Sequence, residues 1–217
     1  VAYRETEHTL ARKADTRQKL LKAARRLVQQ GGFAAASAAS VAKESGVAAG
    51  TIYRHFPNKS ELVAEVFRYA TEREVAEVAA AAEQESDAAA KLRAAIETFA
   101  TRALQGRQLA YALIAEPVDP RVEQERLRYR YAYAEVFEDV IELGIQQQIF
   151  VEQDSHISAA AVVGLLAESL VGPLNPINPN KESAAEDAEN ASSSVNEQHL
   201  IESLVALVLR AVGFHNH

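Results

Sequence analysis

The sequence contains no cysteine, no methionine and no tryptophan among its 217 residues. Without cysteine there can be no disulfide and no thiolate ligand for a metal. The common nucleotide-binding and hydrolase signatures are missing as well: there is no P-loop, no dinucleotide-binding glycine fingerprint, no HExxH and no GxSxG. The six histidines lack metal-ligand spacing apart from His215 and His217 near the end, an alternation read here as incidental. No catalytic residue, metal or cofactor is therefore expected. No apolar run approaches the length of a membrane span, and Arg4, Glu5, Glu7 and His8 are too polar for a cleavable signal. A cytoplasmic protein is expected. Because the chain opens on Val1, its initiator is expected to be absent or read from another start codon.

What is present is apolar mass and helical periodicity. With 48% hydrophobic residues the chain can bury a sizeable core. The net charge of −7 conceals an asymmetry, since residues 1–69 carry +6 and the remainder −13. A basic end on an acidic body suits a protein that presents one end to phosphate. Chance clustering of solvated charge is the alternative.

Apolar spacing of three and four residues recurs along most of the chain, which predicts an all-α fold. Residues 1–14 read as a loose arm. Asp15 then caps a helix with the stripe Leu20, Leu21, Ala24, Leu27 and Val28, ending at Gly31 and Gly32. A long helix over 60–82 leads from the basic end into the acidic body. Further helices are predicted over 88–104, 108–115, 121–148, 157–171 and 199–212. The one over 121–148 has two apolar stripes and so two sets of neighbours. Residues 175–198 are polar and of low complexity, and read as a flexible insertion.

The stretch from Ser37 to Lys59, SAASVAKESGVAAGTIYRHFPNK, organises the rest. Gly46 stops one short helix, and a second runs through Thr51, Ile52, Tyr53, Arg54, His55 and Phe56 to Pro57. Ile52 and Phe56 share a face and can bury, which leaves Thr51, Tyr53, Arg54 and His55 elsewhere on the helix. Periodicity alone fits an αα-corner as well as a DNA-binding helix-turn-helix. The wording decides: Phe33, Ser37, Val41, Ala42, Gly46, Val47, Gly50, Thr51, Tyr53, His55, Phe56, Lys59 and Leu62 stand where the signature of the TetR family of bacterial transcriptional regulators has them. The resemblance covers roughly residues 15–65. One departure is Ala48, where the family often has a serine able to cap the recognition helix.

The resemblance implies an N-terminal three-helix domain with a helix-turn-helix over 1–68. It implies a helical ligand-binding and dimerisation domain over 69–217. The expected function is that of a homodimeric repressor released from a palindromic double-stranded DNA operator by a small-molecule effector. The implied DNA-binding set is Ser37, Ala49, Gly50, Thr51, Tyr53, His55 and Lys59, to which Arg54, specific to this chain, is added. Aromatic side chains concentrate in the body with Arg126, Arg128 and Arg130 between them. The effector pocket is therefore expected at Phe99, Tyr111, Tyr129, Tyr133 and Phe137, with Glu116 and Glu168 as polar lining, for a largely apolar or aromatic ligand. The small-residue helix over 157–171 and the last helix are expected to form the dimer interface. A helical enzyme or carrier, or an interaction adaptor, that keeps the helix-turn-helix as scaffold is the alternative.

Overall fold

The computed structural model describes residues 7–176 and 189–214, and these are all-α: among them there is no strand. The helices run in the order α1 (Glu7–Ala35), α2 (Ala38–Ser45), α3 (Ala49–His55), α4 (Lys59–Glu83), α5 (Ala88–Gln105), α6 (Arg107–Ile114), α7 (Pro120–Gln146), α8 (Ser155–Leu174) and α9 (Glu189–Ala211). Their starts are chemically specified. Ser37, Asn58, Asp87, Asp119 and Asp154 each accept a hydrogen bond from a backbone N–H of the following first turn, satisfying donors that the helix leaves unpaired. Gly46 closes α2 in the left-handed conformation, with φ 70°, where a Cβ would be strained.

Two hydrophobic clusters hold the protein together. One contains Leu20, Ala24, Val28, Phe33, Val41, Ile52, Phe56, Leu62, Val66 and Phe67 from α1 to α4, joined by Leu109, Ala112, Val122 and Tyr129 from α6 and α7. The other packs α5, the later part of α7, α8 and α9 around Leu92, Ile96, Phe137, Ile141, Leu166, Leu170 and Val208. Helix α4 belongs to both, contributing Leu62 to Ala70 to the first and Val78 with Ala82 to the second. Charged groups follow the same path. Glu65 on α4 pairs with Arg17 on α1, while Arg68 reaches Glu65 at 2.7 Å and Glu125 on α7 at 3.6 Å.

Several expectations need correction. Residues 7–14 are helical rather than a loose arm, so Arg12 and Lys13 lie inside α1 and Asp15 is no cap. Asp15 instead pairs with Lys19 one turn on. The glycine break does occur: Gly31 and Gly32 are non-helical and kink α1 before its last residues. At the other end α9 begins at Glu189, ten residues before the apolar pattern starts. Residues 189–198 of the expected insertion are thus helix, and Glu197 within them pairs with Arg107 on α6. Residues 177–188 lie outside the described residues. Helix α8 runs past the expected end at 171 to Leu174, with Pro173 inside it. Helix α8 is also long and apolar enough to cross a membrane by length and composition, with a mean hydropathy of 1.8 over its most apolar window, one third of it buried within the protein.

Candidate nucleic-acid interface and body cavity

Helices α2 and α3 form a helix-turn-helix. Val41, Ala42, Ile52 and Phe56 turn inward, with Phe56 wholly buried beneath the Arg17 guanidinium, 5.2 Å from its ring centre. Burying that one face commits the opposite face to solvent. Tyr53 is 58% exposed and Arg54 is exposed with it, while Thr51 and His55 are half-buried. Ala49 and Gly50 form the exposed first turn of α3, and nothing stands within 4 Å of where a Cβ on Gly50 would be. Ala48 precedes them with no side-chain capping bond, so the N–H groups of this turn lack a side-chain acceptor. Ser37 lies at the start of α2, its Oγ 2.7 Å from that of Ser40. Lys59 is exposed at the start of α4. Among the described residues neither Arg54 nor Lys59 has a carboxylate partner, whereas Arg17 and Arg26 are paired to Glu65 and Glu44.

The electrostatics of this face are those of crowded cations. The His55 pKa is lowered, first by partial burial and then by the positive charges of Lys13, Arg17 and Arg54. The early part of α1 therefore stands close enough to α3 to act on its last residue. At neutral pH His55 is uncharged, and one ring nitrogen carries a hydrogen to donate.

A cavity of about 310 Å³ opens between α1, α4, α5, α6, α7 and α8. Its walls are mostly apolar: Phe67, Val78, Phe99, Leu109, Leu113, Ile114, Tyr133 and Val163 line it. Its polar groups are Arg25 and Gln29 one turn apart on α1, Thr71 and Glu74 on α4, Arg102 and Gln105 on α5, and Arg126 with Arg130 on α7. Glu74 accepts from Arg25 at 3.3 Å and from Arg102 at 2.7 Å, and that second bond raises the Arg102 pKa. Tyr129 donates to Glu72 at 3.0 Å. The pKa values of both Tyr129 and Tyr133 are pushed up, in each case chiefly because burial disfavours a phenolate.

Of the residues expected at the effector pocket, Phe99, Tyr129 and Tyr133 meet at this cavity. Phe99 and Tyr133 stand edge to face, 5.2 Å between centres. The other four lie elsewhere. Phe137 is fully buried in the body core, and Tyr111 packs against that core without reaching the cavity lining. Glu168 is exposed on α8. Glu116 serves the backbone instead, and both its carboxylate oxygens accept from the Phe33 N–H at 3.1 Å. It comes so near Gly32 that a Cβ there would lie 2.6 Å from Oε2, and Gly32 has φ 68°. Glycine is what admits this tie between the end of α6 and the kink of α1. Sequence reading missed Arg25, Glu74 and Arg102, since each looks like ordinary helix-surface charge. Their signal is only that they would meet once three distant helices pack.

The comparisons agree with this geometry. Residues 20–66 match the pattern described as "Bacterial regulatory proteins, tetR family", and residues 85–170 match "Tetracyclin repressor-like, C-terminal domain". Together these matches span more than half of the chain. The chain belongs to the tetR family. Within that family of regulators the chain is 43% identical over 53 residues to the HTH-type transcriptional regulator AcrR of Shigella flexneri, covering 24% of this chain and 25% of that relative. The chain thus spans about a quarter of the length of the curated relative it matches. The whole tetR-type fold recurs in solved structures. FadR from Bacillus subtilis, in complex with stearoyl-CoA, superposes with a TM-score of 0.70 at 19% identity, covering 91% of this chain and 99% of that one. RolR in complex with resorcinol gives a TM-score of 0.67 at 16% identity, covering 95% and 91%. Among the described residues no group of three or more His, Cys, Asp and Glu side chains is placed to hold a metal ion.

Proposed function

We propose that the protein is a repressor of transcription that binds a palindromic double-stranded DNA operator as a homodimer and leaves it when a small molecule occupies the body cavity. The observation that carries the DNA-binding reading is the outer face of α3 with its surroundings. Tyr53, Arg54 and Lys59 are exposed there, and the two cations lack carboxylate partners among the described residues. In this reading Tyr53, His55, Lys59 and Ser37 hold phosphates, and Thr51 reaches a base edge in the major groove. Arg54 serves either purpose. The small first turn at Ala49 and Gly50 lets the backbone N–H groups approach a phosphate. Residues 1–68 read DNA and 69–217 sense and dimerise, within the cytoplasm.

The effector reading is supported by a cavity with apolar walls and a few polar groups, the usual make-up of a small-molecule site. Phe99, Tyr129 and Tyr133 are its aromatic lining. The two structural relatives named above hold stearoyl-CoA and resorcinol, so this fold accommodates both chains and rings in its neighbours. Helix α4 lines the cavity with Phe67, Thr71, Glu74 and Val78 and starts beside α3, so a shift at one end is felt at the other. Ligand favours the arrangement in which the two heads no longer match the groove spacing.

Dimerisation is assigned to α8 and α9. The outer face of α8 exposes Ile157, Ala160, Ala161 and Gly164, and α9 exposes Leu207, 42% accessible. The test is selection of duplexes from a random library followed by a salt titration. A palindromic site bound with a steep salt dependence is expected. Failure to enrich any site, or affinity indifferent to salt, would discard the reading.

A further inference from the structure

The cavity holds more cations than carboxylates. Arg25, Arg102, Arg126 and Arg130 line it, and Glu74 is the one carboxylate among the lining residues. Arg126 is fully engaged: it donates to the carbonyls of Ala112, Leu113 and Glu116 and pairs with Glu123. Arg130 is exposed and has no carboxylate partner among the described residues. Arg25 and Arg102 share Glu74, one through each carboxylate oxygen. Arg102 also approaches Glu77 at the surface, at 3.6 Å. Arg25 Nε is buried with no acceptor at all. The protein thus satisfies the Arg25 guanidinium only in part, through one long bond to Glu74. The three members come from three elements: Arg25 from α1 beside the DNA-reading head, Glu74 from α4, and Arg102 from α5 in the body.

We propose that the cavity takes an apolar molecule ending in an oxyanion, and that this oxyanion displaces Glu74 from Arg25 and Arg102. The apolar part lies along Phe99, Leu109, Tyr133 and Val163. The anionic end takes the Arg25 and Arg102 donors that Glu74 now holds and breaks the tie that Glu74 makes between α1 and α5. Ligand charge is thereby converted into a change at the junction of head and body. This inference rests on the cavity being the effector site and adds the ligand's chemical class and the residues that read it. The oxyanion comes either from a free carboxylate or from the phosphates of a thioester conjugate.

The test uses the full chain and three probes with one apolar chain: dodecanoate, dodecanol and dodecanoyl-CoA. Calorimetry measures binding, and fluorescence anisotropy measures release from a duplex selected by the protein. At least one anionic probe is expected to bind about tenfold to a hundredfold tighter than dodecanol, the range for a charge-assisted hydrogen-bonded anion. Tighter binding of dodecanoate identifies a carboxylate as the head, and tighter binding of dodecanoyl-CoA identifies the phosphates. Arg102→Gln should remove that preference while dodecanol still binds, and Arg102→Lys should restore only part of it. Glu74→Gln, which removes the competitor and retains the shape, should tighten the anionic probe severalfold. Melting curves identify any variant that fails to fold, and the wild-type preference tests the proposal without one. Dodecanol binding as tightly as both anions, a preference that survives Arg102→Gln in folded protein, or no binding by any probe would each overturn the proposal. Preferential anion binding without release of the duplex would leave the anion site standing and discard the effector reading. Equal release by all three probes would do the reverse.

Discussion

The two ends of this molecule use charge in opposite ways. At α3 the cations face outward, and Arg54 and Lys59 stand without carboxylate partners among the described residues, on a basic end. In the body cavity most of the cations are tied up, Arg126 by carbonyls and Arg25 with Arg102 by the glutamate they share, while Arg130 stays exposed. Unpaired surface cations cost little because water solvates them, and they remain available to any phosphate. Enclosed cations must be matched, so Arg25, Arg102 and Arg126 keep partners that a ligand would have to replace. One end is built for a long polyanion met at the surface, the other for a small molecule admitted one at a time.

Damage to the core beneath the head should have the largest effect. Phe56→Ala removes a wholly buried ring from beneath α3 and should cost about 3–5 kcal/mol, abolishing DNA binding in a melting and anisotropy experiment. Probe binding in the body should survive if the second cluster holds by itself. Its loss would show that the two cores fold only together, through α4. A smaller but still large effect is expected at the dimer face. Leu207→Glu places a charge on the exposed side of α9 and should weaken the dimer by about a hundredfold or more if that side is covered by the partner, as sedimentation would record. Leu204→Glu is the contrasting variant, because Leu204 is buried within its own protomer and its replacement should unfold the chain rather than separate the dimer. An unchanged dimer for Leu207→Glu moves the interface elsewhere.

At the head, Lys59→Ala should weaken all duplexes alike by a few-fold and lower the salt slope by about one unit. Unchanged affinity and slope would remove Lys59 from the phosphate contacts. The smallest effect concerns His55. Its pKa is lowered in the folded protein, so the unfolded chain takes up the proton first as pH falls. Stability contributed by the neutral ring is present above the ordinary histidine value and is lost as pH drops from there through the lowered one. Replacing His55 with Gln should flatten that part of the stability profile, measured by denaturant unfolding between pH 7 and about 5. DNA phosphate opposes the same shift, so duplex binding by the wild type should strengthen on mild acidification.

The head was legible because its chemistry is local. Gly46, Ile52 and Phe56 act within one or two turns of themselves, as a stop and one buried face, and the structure finds all three in those roles. The early helical turns of α1 and of α9 escape the sequence pattern for a related reason. Residues 7–14 and 189–198 are polar, and polarity alone does not separate a solvated helix from a loop. Neighbouring turns, and for Glu197 the ion pair to Arg107, supply what the local pattern lacked.

The sequence by itself determined the all-helical fold, most helix positions, the helix-turn-helix and the family, because periodicity, caps and the motif's spacing all act over short distances along the chain. Only the tertiary structure decided which charges belong to the cavity. Arg25, Glu74 and Arg102 are separated by 49 and 28 residues, and nothing in their own helices distinguishes them from solvated surface charge. The same holds for Glu116, which proved to be a tie to the Phe33 backbone rather than a cavity residue. Partners of that kind are set by how the helices pack, and packing depends on the whole core at once rather than on any one stretch of chain.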